Sequence, residues 1–151
     1  MVDVVSFEHT SYALPPSRFE AGTPAIADAV ALGSALEYMM NLGWDNLETH
    51  EQDLVTYTTQ QLQQISGLKI IGTSPNKGGV FSFDLKGIHA QDVAFILDKE
   101  GVSIRTGHHC AEPLVKRMGY NSLARASIGL YTTREDINLF VQALNKASSF
   151  F

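Results

Sequence analysis

The order of helical and strand patterns predicts an α/β fold, described nearly as well as α+β: a small mixed sheet with helices packed on one side. Three observations carry this. Helical and strand signals share the chain, and the two central strand candidates are separated by helices. The chain has 151 residues, which suits one domain and two poorly, and about 150 residues can bury roughly 70% of their unfolded surface around a single core. Neither an internal repeat nor a low-complexity tract points elsewhere.

Residues 1–17 differ from the rest. Val2, Val4, Val5 and Phe7 suggest a short strand, but turn formers and the pair Pro15-Pro16 fill the stretch that follows. It reads as an extended N-terminal arm, with 18–151 as the folded domain. A helix over 25–40 starts where Thr23 suits the N-cap and Pro24 the first helical position, and Gly43 stops it. A second helix over 45–65 places Leu47, Leu54, Tyr57, Leu62 and Ile65 near one face. Strands follow over 68–71 and 79–85, separated by the loop 74–79. A third helix over 90–100 ends at Gly101, with His89 and Asp92 as a weak capping box. A strand over 102–105 leads into a loop, a short helix over 112–118 stops at Gly119, and a strand covers 125–130. Thr132 and Glu135 form a capping box for a last helix to about 146.

Composition excludes several classes. Acids outnumber bases for a net charge of −5, and no basic run suggests nucleic acid. The longest apolar stretches fall short of the roughly 20 residues that span a bilayer. The first residues lack the basic start of a signal peptide. The expectation is a soluble intracellular protein without nucleic-acid or membrane partners. One cysteine rules out an internal disulfide.

Chemistry concentrates in Arg105-Thr106-Gly107-His108-His109-Cys110-Ala111-Glu112-Pro113, at the end of a strand. The thiolate is the nucleophilic form of cysteine, and nearby cations favour it. Arg105 and two imidazoles beside an exposed loop therefore suit a reactive Cys110. A small buried hydrophobe whose histidines satisfy loop backbone groups fits the same residues. Zinc does not fit: adjacent His108, His109 and Cys110 cannot readily converge on one tetrahedral ion, and no second cysteine exists. Arg125, flanked by small residues in Ala124-Arg125-Ala126-Ser127, has a planar fork suited to a carboxylate, or to an ion pair with one of the 16 acids. Gly22 and Thr23 precede a helix N-terminus, which suits phosphate, although plain capping explains them equally.

Arg-Phe-Glu-Ala-Gly-Thr-Pro at 18–24, Arg-Thr-Gly-His-His-Cys-Ala at 105–111 and Arg-Ala-Ser at 125–127, in this order and spacing, resemble the C-terminal part of SUF-type (group II) cysteine desulfurases. The similarity runs from the arm to the last helix. The compact His-His-Cys-Ala-x-Pro loop resembles group II rather than group I, and the ending Ala-Ser-Ser-Phe-Phe is similar to cyanobacterial and plastid members. The resemblance implies the C-terminal small domain of a fold-type I pyridoxal-phosphate-dependent transferase of aminotransferase class V, a homodimer of the bacterial cytoplasm or a plastid. It implies that sulfur leaves L-cysteine to give L-alanine and a persulfide on Cys110, and passes to a SUF acceptor for iron–sulfur cluster assembly. Cys110 matches the catalytic thiol and Arg125 the arginine that grips the substrate carboxylate. Arg105 matches an active-site arginine near the cysteine loop. His108 and His109 belong to the loop supporting the nucleophile. Gly22 and Thr23 match the segment that reaches the cofactor phosphate of the opposite protomer.

The departure is large. The family's Ser-x-His-Lys loop, which carries the Schiff-base lysine, has no counterpart, and Lys69, Lys77, Lys86, Lys99, Lys116 and Lys146 lie in no such motif. The expectation is a fragment that is inactive alone. Two other functions compete: a stand-alone thiol sulfur-carrier or binding module without pyridoxal phosphate, and a related lyase or epimerase in which Cys110 is incidental.

Overall fold

The computed structural model describes residues 1–150. They divide into two compact units, one from Met1 to Trp44 and one from Asp45 onward.

In the first unit, β1 (Val2–Val5) and β2 (Thr10–Tyr12) pair antiparallel as a hairpin. Ser6 closes its turn, Oγ accepting from the His9 N–H at 3.0 Å. A single 3-10 turn (Ser17–Phe19) precedes α1 (Ile26–Leu42). That helix begins later than Thr23 and Pro24 suggest. The Ile26 N–H bonds the Pro24 carbonyl at 2.8 Å, so Ala25 occupies the cap position and no side chain caps the helix. Gly43 ends it with φ 85, a left-handed value that glycine adopts without a Cβ clash.

The second unit holds the main sheet. Its elements are α2 (Trp44–Gln63, starting at the boundary), β3 (Leu68–Ile71), β4 (Val80–Leu85), α3 (Ala90–Lys99), β5 (Arg105–Gly107), α4 (Glu112–Arg117), β6 (Leu123–Ser127) and α5 (Arg134–Phe150). The strand order is β3-β4-β6-β5. The α/β class is as expected, but each pairing in the sheet is antiparallel rather than mixed. β4, α3 and β5 do make a parallel crossover; β6 inserts between its two strands, so parallel neighbours never touch.

Alternation along β4 sets the core. Phe81, Phe83 and Leu85 are buried on one face, with Ser82 and Asp84 on the other. Against that buried face pack Val55 and Leu62 of α2, Val93 and Leu97 of α3, and Phe140, Ala143, Leu144 and Ala147 of α5. Phe83 and Phe140 meet edge to face, centroids 5.9 Å apart, the arrangement aromatic quadrupoles favour.

Two boundaries differ from expectation for readable reasons. Gly101 ends α3 in a Schellman motif: the Val102 N–H bonds the Leu97 carbonyl and the Gly101 N–H that of Asp98. Val102 therefore has no amide left for a ladder, and the expected strand over 102–105 begins instead at Arg105. The expected strand over 125–130 lies at Leu123–Ser127, because the chain turns at Gly129, whose carbonyl accepts from the Thr132 N–H. Gly119 ends α4 by the same motif as Gly101, with Tyr120 bonded to Val115.

The capping box of α5 is one residue later than Thr132 and Glu135. Thr132 Oγ1 is occupied by the Gly129 N–H at 3.0 Å, so Thr133 caps the Asp136 N–H and Asp136 Oδ2 returns to the Thr133 N–H at 2.9 Å. Thr133→Ala is expected to lower stability by about 1 kcal/mol, read as a smaller urea midpoint at unchanged m-value. Thr132→Ala should act through the turn and leave helix content unchanged by circular dichroism.

Candidate active site

Strand register brings the two arginines together. Arg105 and Arg125 are direct partners across β5 and β6, so both side chains leave the same face. Ser82 pairs with Arg125 from the other side, which makes this the face opposite Phe81 and Phe83. Like charges directly opposite repel. Yet among the described residues neither guanidinium has a carboxylate within ion-pair distance. Arg125 is half-buried, and its Nε lies buried without a hydrogen-bond partner. Among the described residues, then, no acid holds it in the ion pair that is ordinary for a strand arginine.

Arg105 has turned to the thiol: Nη2 donates to Cys110 Sγ at 3.5 Å. Cys110 is exposed and lines an open cavity of about 440 Å³ together with Arg105, Thr106, His108, His109, Glu112 and Pro113. A buried, packing cysteine is therefore not what the loop makes. The chain reverses over 108–111, where the Ala111 N–H bonds the His108 carbonyl at 2.9 Å. Both central residues have left-handed backbones, His109 at φ 54 and Cys110 at φ 61, as in a type I′ turn. Such values cost a non-glycine residue on the order of 1–3 kcal/mol and persist where the surroundings over-determine them.

His109 supplies much of that determination. Its Nε2 donates to the Leu123 carbonyl at 3.1 Å, and a carbonyl only accepts, so Nε2 carries the proton. Burial foremost, then the Arg125 charge, with Arg105 and His108 adding less, hold the His109 pKa below the ordinary histidine value against the Leu123 hydrogen bond. The ring is thus neutral at neutral pH, with Nδ1 buried and unpartnered. An unfolded histidine takes a proton near pH 6.5, whereas the folded one resists it. Stability from this group is complete above that value and declines as pH falls toward the lower folded pKa. His109→Asn removes the titration and tolerates the left-handed backbone. Its urea midpoint should fall less than the wild type's between about pH 7 and pH 5; parallel profiles would refute the assignment.

Other contacts brace the loop. Thr106 Oγ1 donates to Gln91 Oε1 at 2.8 Å, tying β5 to the first turn of α3. Glu112 bonds Lys116 at 2.7 Å and lies 4.0 Å from His108 Nδ1. The i, i+4 spacing of Glu112 and Lys116 was readable in the sequence; the Gln91–Thr106 bridge and the Leu123 carbonyl, being long-range, left no signal. His89 caps α3 through Nδ1, which accepts from the Gln91 N–H at 3.2 Å, without Asp92. Gly22 and Thr23 belong to the first unit. Gly22 has φ 79 with open space where a Cβ would stand, and no side chain, Thr23 included, caps α1. No three His, Cys, Asp or Glu side chains among the described residues are placed to hold a metal. No helix among them is long and apolar enough to cross a membrane.

The cysteine desulfurase CsdA of Escherichia coli, solved in its S-sulfonic acid form, matches the fold with a TM-score of 0.82 at 29% identity, over 100% of this chain and 37% of that one. The cysteine desulfurase of Thermococcus onnurineus matches at 0.81 and 34% identity, over 99% and 38%. The fold is the one found in fold-type I, pyridoxal-phosphate-dependent cysteine desulfurases. In sequence, residues 1–140 match the aminotransferase class-V family, and the chain belongs to that family. A probable cysteine desulfurase of Xylella fastidiosa is 45% identical over 146 residues, 97% of this chain and 35% of that protein. The chain spans about a third of the length of the curated relatives it matches.

Proposed function

We propose that this chain is the C-terminal part, with 1–17 as an arm and 18–151 as the small domain, of a SUF-type cysteine desulfurase acting in the cytoplasm. It supplies the sulfur-accepting thiol and the carboxylate clamp. The observation that carries this reading is the Arg105 guanidinium on the exposed Cys110 sulfur, with Arg125 opposite Arg105 and, among the described residues, unmatched by an acid. Arg125 takes the α-carboxylate of L-cysteine in a planar, bidentate grip. Arg105 steadies negative charge on Cys110 Sγ. That sulfur attacks the substrate sulfur: an S–S bond forms, the substrate C–S bond breaks, and its electron pair stays on carbon. A proton then completes L-alanine, and Cys110 is left as a persulfide for a SUF acceptor protein. His108 and His109 hold the loop that presents it.

Pyridoxal phosphate, when bound, supplies the electron sink for the carbon side of this reaction. The residues here fit one end of it. The uncapped N–H groups of α1, the free approach at Gly22 and the Thr23 hydroxyl suit its phosphate, in the manner of a segment reaching across a homodimer. No lysine lines the cavity beside Cys110; Lys116 is paired with Glu112, and Lys77, Lys69 and Lys99 lie over the rings of Phe81, Tyr120 and Phe95. Borohydride reduction of the 151-residue chain with pyridoxal phosphate is therefore expected to leave no stoichiometric pyridoxyl adduct on any lysine. Such an adduct would overturn this part of the reading. The function itself is tested by mass spectrometry of the chain before and after mixing with the large domain of a relative, the cofactor and L-cysteine. A sulfane sulfur on Cys110 is expected; alanine formed with Cys110 unmodified throughout would refute it.

A further inference from the structure

A second cavity, of about 570 Å³, runs between α2, the outer strand β3 and the loop after it. Its volume lies in the range of small-molecule sites. Val55, Leu68 and Ile70 form an apolar floor, while Gln60, Gln63, Thr56, Thr59 and Lys77 are among the polar residues around it. In a chain of net charge −5, no aspartate or glutamate lines this space.

Lys77 is the charge that faces it. Its Nζ lies 3.7 Å from the centroid of the Phe81 ring, which is fully buried. Among the described residues it has no carboxylate partner. Glu51, which anchors the loop, directs Oε1 to the Gly79 N–H at 2.7 Å. Lys69 also borders the cavity, its ammonium 5.7 Å from the centroid of the Tyr120 ring; an ammonium on a ring face keeps N–H donors for an anion, and of the two it is Lys77 whose charge burial disfavours. Burial holds the Lys77 pKa below the ordinary lysine value, the sign of a cation that water only partly compensates. The threonines add a second demand. Thr56 and Thr59 donate their hydroxyl protons to the helix carbonyls of Gln52 and Val55, at 2.8 and 2.7 Å. Their remaining capacity at this cavity is to accept, so a ligand that satisfies them must bring its own O–H or N–H donors.

We propose that the groove between α2 and β3 binds a small hydroxylated organic anion, its phosphate or carboxylate on Lys77 and its hydroxyl groups on Thr56 and Thr59. The site shares no residue with the cavity beside Cys110, and the proposal does not rest on the sulfur-transfer reading.

The test is isothermal titration of the 151-residue chain with ribose 5-phosphate, with inorganic phosphate alongside as the bare anion. Saturable binding of ribose 5-phosphate is expected, tighter than that of phosphate, with NMR shifts at the amides of Thr73, Ser74 and Lys77. Lys77→Met keeps the stem over Phe81 and should weaken both probes about tenfold or more. Lys77→Arg should retain binding. Thr59→Val should weaken ribose 5-phosphate severalfold and leave phosphate unchanged. If Lys77→Met fails to fold, the Thr59→Val comparison and the shift map decide alone. Absence of saturable binding, equal loss of both probes in Thr59→Val, binding unaffected by a folded Lys77→Met, or shifts confined to the Cys110 loop would each overturn the proposal.

Discussion

Cys110→Ser in the full-length enzyme is expected to release alanine roughly 10³-fold more slowly or worse, and to carry no persulfide. A serine hydroxyl is similar in size to the thiol but scarcely ionised at neutral pH, so the attacking nucleophile is lost, and removing a nucleophile from a working set commonly costs several powers of ten. Binding should survive, because Arg125 and the α1 N-terminus are untouched. Addition of L-cysteine should still change the absorbance of the bound cofactor. Folding should survive as well, since exposed substitutions usually change stability by about 0.5 kcal/mol or less. The 151-residue chain offers a test without turnover. Cys110 is exposed beside Arg105, so iodoacetamide should alkylate it in the native fold, and Arg105→Gln should slow that reaction. Full alanine production by the serine variant, or a thiol that reacts only after denaturation, would defeat the assignment.

Arg125→Lys in the same enzyme is expected to lower kcat/KM for L-cysteine by about 10- to 150-fold, corresponding to the roughly 1.5–3 kcal/mol carried by a hydrogen bond to a charged group. Lysine keeps the charge and loses the planar fork. Stability should not fall, because the guanidinium has no carboxylate partner among the described residues and its Nε is already buried without a bond. The split between binding and folding is diagnostic: a structural arginine would show lower stability with near-normal kinetics. An unchanged KM and kcat would remove the clamp role.

Parts of the site were legible because they are local. Arg105 through Pro113 lie within nine consecutive positions, and a turn bracketed by Gly107 and Pro113 keeps such neighbours close whatever the rest of the chain does. Glycine stops were legible for the same reason: Gly43, Gly101 and Gly119 each end a helix with positive φ, a choice made within one turn. Caps were harder. Thr132 and Thr133 both offer a hydroxyl three residues before an acid, and the turn at Gly129 decides between them by engaging the first. Strand limits failed where a helix cap claimed the amide, as at Val102.

By itself the sequence determined the alternation of buried and open positions along β4, the helices with their apolar faces, and the proximity of one arginine, two imidazoles and one thiol. These follow from side-chain period and chain connectivity, which act over a few residues. Tertiary structure alone decided the rest. Register between β5 and β6 sets Arg125 opposite Arg105, 20 positions away in sequence, and a slip of one residue would turn Arg125 to the other face. The Leu123 carbonyl fixes the His109 tautomer from 14 residues away. Only the fold shows that neither arginine has an acid partner among the described residues, because composition counts charges and cannot pair them.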